Sequence, residues 1–272
     1  MFKTRLMSGI VLVLLAFIAI ATGGYVLFGT LLIVSLIGAG ELLKAMKVQE
    51  SRWNSLTAAS MVGITLYYLG IIISDKGIIN LRGFDSGLSE MMLILSLLII
   101  MFVYVCTYPK YHAGQVMAAF FSIVYVGVML SYIYQTRILI GGKYHVWLIF
   151  LCSWGADTCA YCVGMLCGKH KMAPVLSPKK SVEGAVGGVA GAALLGFLFQ
   201  LVTHGLSYQY AVICGAGALI SMVGDLAASA IKRNMEIKDY GKLIPGHGGI
   251  LDRFDSVIFT APVIYYLSVF LI

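Results

Sequence analysis

Long apolar runs alternate with short polar breaks along the whole chain. Nine of these runs approach the roughly 20 residues that carry a helix across a hydrocarbon core. They cover about 6–22, 25–41, 55–74, 88–107, 114–135, 145–168, 183–203, 209–231 and 250–271. Runs of this length predict helices and not the short alternating strands of a membrane barrel. A helix also satisfies its own backbone hydrogen bonds, as a segment in lipid must. The predicted fold class is therefore all-α: a polytopic integral membrane helical bundle of about nine transmembrane helices, the first two joined by a tight turn at Thr22-Gly23-Gly24.

Composition sharpens the picture. Of 272 residues, 60% are hydrophobic and 11% charged, against about a quarter charged in soluble domains; the mean hydropathy is +0.93. With the N-terminus in the cytoplasm, fifteen of the nineteen Lys and Arg lie on the inner side, leaving Lys76, Arg82, Arg137 and Lys143 outside. That asymmetry is the positive-inside pattern, and it selects a cytoplasmic N-terminus in the cell (plasma) membrane. Lys3 and Arg5 before an apolar run closing on Ala19-Ile20-Ala21 also have the outline of a cleaved signal peptide. A second span follows at once, which favours a retained helix. The net charge of +7 lines one membrane face without stacking aromatics, so it indicates no nucleic acid and suits anionic headgroups and a phosphorylated ligand. Cys159-x-x-Cys162 lacks a second ligand pair at matching spacing, and the six cysteines read as soft packing residues.

The chemistry is unevenly distributed. Residues 1–110 read as scaffold and lipid-facing helices, with Glu41, Lys44, Lys47, Glu50 and Arg52 as solvated interface and Trp53, Tyr67 and Tyr68 as interfacial anchors. Residues 111–272 form the catalytic region, with polar cytoplasmic loops at 169–182 and 232–249. Between Ser221 and Ser256 stand five of the twelve acids, Asp225, Glu236, Asp239, Asp252 and Asp255, and five of the Lys and Arg. Carboxylates at membrane depth are costly enough to mark function.

In the first polar segment Asp157, Tyr161, Gly164 and Gly168 fall at i, i+4, i+7 and i+11, one stripe of a helix. The glycines by themselves would serve close helix packing. Ser177, Lys179, Lys180 and Ser181 then precede Glu183-Gly184 at the next helix start. Hydroxyls and ammonium groups there make an anion site, because free amides and the helix dipole point the same way. Ser181 also reads as an ordinary N-cap, a compatible role.

In the second segment Asp225, Ser229 and Lys232 share a helix face at i, i+4 and i+7, followed by Arg233 and Lys238. Pro245-Gly246-His247-Gly248-Gly249 allows backbone amides to approach a ligand closely. Asp252, Arg253 and Asp255 open the last helix. Acids are favoured at helix starts in any case, but that does not account for Asp225 inside another span. Paired carboxylates beside cations and a glycine-rich loop suit metal-assisted phosphate chemistry.

These residues resemble the phosphatidate cytidylyltransferase family, also called CDP-diacylglycerol synthase. The matching pattern is Ser229, Lys232-Arg233, Lys238-Asp239, Pro245 to Gly249 and Asp252-Arg253-Phe254-Asp255, with Asp157 to Tyr161 and Ser177 to Ser181 upstream, Ser181 standing where the family usually has Thr. The resemblance implies transfer from CTP to phosphatidic acid, giving CDP-diacylglycerol and pyrophosphate at the cytoplasmic face. It further implies Mg²⁺, alone or with a second cation, held by Asp225, Asp252 and Asp255. Lys179, Lys180, Lys232, Arg233 and His247 would clamp phosphates. Asp157, Tyr161, Ser177, Ser181, Ser229, Lys238, Gly248, Gly249 and Arg253 would complete the substrate site, and the family implies a homodimer. Two other readings stay open: an enzyme acting on another lipid phosphate, and an ion-coupled transporter using Asp157 and Asp225. The outer loops carry too little polar chemistry for a two-sided transport route, and no internal repeat supports one.

Overall fold

A computed structural model describes residues 2–49, 54–77, 87–244, 246 and 248–272, with residues 2–8 through their backbone only. Pro245 and His247 lie outside the described residues, as do Glu50, Arg52, Trp53 and Arg82.

Among the described residues the nine apolar runs are nine long helices: α1 Phe2–Thr22, α2 Gly24–Ala45, α3 Ser55–Lys76, α4 Leu88–Cys106, α5 Ala113–Ile138, α6 Gly142–Cys167, α7 Val182–Thr203, α8 Gln209–Asn234 and α9 Leu251–Leu271. Of these, α2 to α9 are long and apolar enough to span a membrane, and α1 contributes a shorter apolar stretch, Gly9–Thr22. Exposed apolar side chains such as Leu98 and Phe102 on α4, 59% and 69% accessible, mark surface suited to lipid. The protein is a polytopic, all-helical membrane bundle.

Three features depart from the pattern reading. The segment expected as a polar loop at 169–182 contains an antiparallel hairpin, β1 Lys171–Ala173 and β2 Ser177–Ser181, with Lys171 opposite Ser181. Its Lys- and Pro-containing strand carries no apolar alternation, so periodicity gives no sign of it. Second, α5 and α6 each contain a π-helical stretch, Ile123–Val128 and Leu151–Gly155. Such a stretch shifts the helical phase of everything after it and recurs at functional sites. The second one ends two residues before Asp157. Third, Tyr67 and Tyr68 are not interfacial anchors. Both are buried in α3, and Tyr68 shares a 2.8 Å hydrogen bond with Ser35 of α2. A phenol inside a bundle needs such a partner, and α2 supplies it.

Helices α6 to α9 pack in sequence, α6 on α7, α7 on α8 and α8 on α9. Small residues of α7 permit the approach: a Cβ on Gly188 would stand 3.0 Å from both the Ala156 carbonyl oxygen and the Ala160 Cβ. The start of α7 is capped as its sequence predicts, with Ser181 Oγ accepting from Gly184 N at 3.1 Å. At one end of the bundle α2, α6 and α8 finish while α7 and α9 begin. The polar chemistry gathers at that end.

Candidate active site at one end of the bundle

Three helices deliver carboxylates to this end: Asp157 from α6, Asp225 from α8, and Asp252 and Asp255 from the first turns of α9. All four line one cavity of about 450 Å³, together with Lys232, Asp239 and Arg253. Gly9, Leu12 and Val13 of α1 complete its wall. A neighbouring cavity of about 610 Å³ holds Tyr161, Gly164, Ser177, Lys179, Lys180 and Ser181 beside the apolar Met165, Met172, Ala185 and Met222. Asp157 and Asp225 line both. Lys180 forms an ion pair with Asp225, so the hairpin reaches across to α8. A third cavity, about 460 Å³, contains Lys238, Lys242, Gly246 and Gly248, and meets the first at Asp239, Ile244 and Arg253.

Asp252 is the organising group of the loop before α9. Its Oδ2 accepts from Tyr240 N at 2.8 Å and Gly249 N at 2.9 Å, and its Oδ1 accepts from Lys232 Nζ at 3.0 Å. Only 6% exposed, the carboxylate needs donors of this kind to offset lost hydration, and charge-assisted bonds are the strong ones. Gly248 has φ +88°, and a Cβ there would stand 2.8 Å from Asp252 Oδ2, so both backbone and space call for glycine. Tyr240 links the parts: its ring lies 5.3 Å from Lys232 Nζ and its hydroxyl donates to the Ala228 carbonyl at 3.1 Å. Burial pushes this phenol well above its usual pKa, so it remains a donor.

Glu183 secures the hairpin, accepting from Lys169 N at 3.0 Å, His170 N at 3.2 Å and His170 Nδ1 at 2.6 Å. Glu41 corrects the reading of the N-terminal half. It is not solvated interface but half-buried, and it accepts from Ile250 N at 3.1 Å and Leu251 N at 2.9 Å. Tyr125, in the π-helical stretch of α5, packs edge-on against Phe259 of α9, with ring centroids 6.1 Å apart. Its hydroxyl is buried and finds no hydrogen-bond partner among the described residues. Glu41 and Tyr240 carry no local motif; only their distant partners distinguish them.

Of the residues singled out by sequence, Asp157, Asp225, Lys232, Asp252, Arg253 and Asp255 meet in the first cavity, and Tyr161, Ser177, Lys179, Lys180 and Ser181 in the second. Lys238 and Gly248 line the third. Gly249 packs against Glu41. Ser229 and the exposed Arg233 line none of these three, and His247 lies outside the described residues. Among the described residues no three His, Cys, Asp or Glu side chains stand in a chelating arrangement. Asp225 is turned to Lys180, and Asp252 to its three donors. The donor set itself is all carboxylate oxygen, which suits a hard cation such as Mg²⁺.

A sequence model described as the cytidylyltransferase family matches residues 3–271. The phosphatidate cytidylyltransferase of Bacillus subtilis (strain 168) is 31% identical over 271 residues, 97% of this chain and 97% of its own. That of Staphylococcus saprophyticus is 31% identical over 273 residues, 98% of this chain and 99% of its own. That of Staphylococcus aureus (strain COL) reaches 38% over 151 residues, 54% of this chain and 57% of its own. With a match along nearly its full length and the carboxylate cluster inside it, this chain belongs to the phosphatidate cytidylyltransferase family.

Proposed function

We propose that this protein transfers the cytidylyl group of CTP to phosphatidic acid, releasing pyrophosphate and CDP-diacylglycerol at the cytoplasmic face of the cell membrane. The observation that carries the reading is the position of Asp157 and Asp225 on the shared boundary of two cavities. One cavity combines lysines and hydroxyls with methionines, as a lipid phosphate requires. The other combines Lys232 and Arg253 with the carboxylates and adjoins the basic third cavity, as a nucleotide triphosphate requires.

The chemistry follows from that division. A phosphate oxygen of the lipid forms a bond to the α-phosphorus of CTP, and the bond from that phosphorus to the bridging oxygen breaks, with its electron pair leaving on pyrophosphate. Such transfers depend on positioning and on neutralising charge, with little covalent work for the protein. Lys179 and Lys180 hold the lipid phosphate, while Lys232, Lys238 and Arg253 hold the triphosphate; for Arg233 and His247 the phosphate-clamping role rests on the family resemblance. Asp225, Asp252 and Asp255 would hold Mg²⁺, with Asp157 beside them. When bound, the ion neutralises phosphate charge and orients the reacting oxygens. Asp252 has only Oδ1 to offer, because Oδ2 is committed to two backbone amides.

A homodimer is part of the proposal, to be read from the mass of the purified protein in detergent. The main test is CTP-dependent pyrophosphate release from purified protein with a panel of lipid phosphates. Release with phosphatidic acid as the preferred acceptor is expected. Preference for an isoprenoid phosphate would replace the lipid assignment, and no release with any acceptor would remove the function.

A further inference from the structure

We propose that Glu41 is a positioning residue of the transfer site, a fixed strut from the N-terminal helices that sets where Asp252 and Asp255 stand. The inference rests on the cytidylyl-transfer reading for its kinetic consequence, though not for its geometry.

Glu41 lies on the last turns of α2, 209 and 210 residues from the amides that it accepts from. Those amides belong to Ile250 and Leu251, where α9 begins. Early helix amides have no partner within the helix, and the dipole there favours negative charge, so a carboxylate is well matched to them. Each oxygen takes one donor: Oε1 from Ile250 N at 3.1 Å and Oε2 from Leu251 N at 2.9 Å.

The loop is shaped around this carboxylate. A Cβ on Gly241 or on Gly249 would collide with the Glu41 carboxylate. Neither glycine has a positive φ, so backbone conformation does not demand glycine there; the volume of Glu41 does. Gly249 therefore stands between two carboxylates, its Cα face against Glu41 and its amide donating to Asp252 at 2.9 Å. The residue after Leu251 is Asp252, and Asp255 follows one turn later. Any movement of Glu41 is passed directly to both. Small residues bring α2 close enough for this: a Cβ on Gly38 would stand 3.2 Å from Val126 Cγ1 and 3.9 Å from Leu251 Cδ1.

Glutamine is not an adequate substitute. Its amide nitrogen would face one of two backbone N–H groups, donor against donor, so one bond is lost. Glu41→Gln should therefore behave much like Glu41→Ala, which is unusual for such a conservative change.

The test is a double-mutant cycle on the full chain: wild type, Glu41→Gln, Glu41→Ala, Gly249→Ala and the Glu41→Ala/Gly249→Ala pair. Each is assayed for pyrophosphate release with CTP and phosphatidic acid in Mg²⁺ buffer, and for thermal unfolding in the same detergent. A misplacement of about 1 Å can cost roughly 100-fold in rate. The expectation is that Glu41→Gln, Glu41→Ala and Gly249→Ala each lower kcat by about 10-fold or more, with KM for phosphatidic acid changing by about 2-fold at most. The double variant should be no slower, and melt no lower, than Glu41→Ala alone, because removing the carboxylate frees the space that the new methyl needs. Wild-type kcat in Glu41→Gln, with or without a lower Tm, would overturn the proposal, as would losses that multiply in the double variant. A wild type that releases no pyrophosphate with any lipid phosphate would fail the transfer reading instead. The melting cycle would then still decide whether Glu41 and Gly249 are coupled.

Discussion

Lys180, on the hairpin between α6 and α7, is paired with Asp225 inside α8. Asp225 lines both cavities and Lys180 the second alone, so on the proposed reading a lipid phosphate and a cation would compete for opposite halves of the pair. Of the lysines that the resemblance gives to phosphate, the proposal assigns Lys179 and Lys180 to the lipid phosphate because they line the cavity that also holds the methionines.

Lys180→Ala should raise KM for phosphatidic acid by about 10-fold, more than it raises KM for CTP, consistent with loss of a charge-assisted phosphate bond. Preference for CTP over UTP and ATP should not change, since an ammonium group recognises phosphate whatever base it carries. Steady-state kinetics with each nucleotide and varied lipid will check this. A larger rise for CTP than for lipid would assign the lysine to the triphosphate instead.

Asp225→Asn should reduce turnover by on the order of 10³-fold or more, because a hard cation loses ligand charge and its stabilisation of the transferring phosphate is worth several kcal/mol. The variant should fold, since both side chains of the pair are partly exposed and the asparagine oxygen can still accept from Lys180 Nζ. Pyrophosphate release at saturating Mg²⁺ and an unchanged melting profile are the paired measurements.

Asp252 and Lys232 should behave differently, because their pair is buried. Asp252→Ala strands the Lys232 ammonium and two backbone amides, and breaking such a pair costs about 3–5 kcal/mol. Thermal unfolding should show a clear fall in Tm for Asp252→Ala. The Lys232→Met/Asp252→Asn double variant should recover part of it while remaining inactive.

Orientation is open to a direct check. Single cysteines introduced in 171–179 and in 238–246, in a background lacking the native cysteines, should react with an impermeant maleimide only from the cytoplasmic side. The hairpin and the loop before α9 belong to the same end of the bundle, so both must react from one side.

The helices were legible in the sequence because a bilayer leaves a long apolar segment little alternative to satisfying its own backbone, and α2 to α9 fall close to where hydropathy puts them. The Ser181 cap was legible for a similar reason: its partner, Gly184, is three residues away. The motifs likewise brought Asp157, Asp225, Asp252 and Asp255 into view, since helical spacing and the cost of charge in lipid are properties of the sequence. Tertiary structure decided what those rules cannot reach. The amides that Glu41 binds are more than two hundred residues away, so the same glutamate reads locally as solvated interface. Tyr240 becomes a link only because the loop folds back over Lys232. Whether a carboxylate chelates, pairs with lysine or organises a loop depends on which donors the fold brings within about 3 Å. Sequence spacing along one helix says nothing about that distance to another.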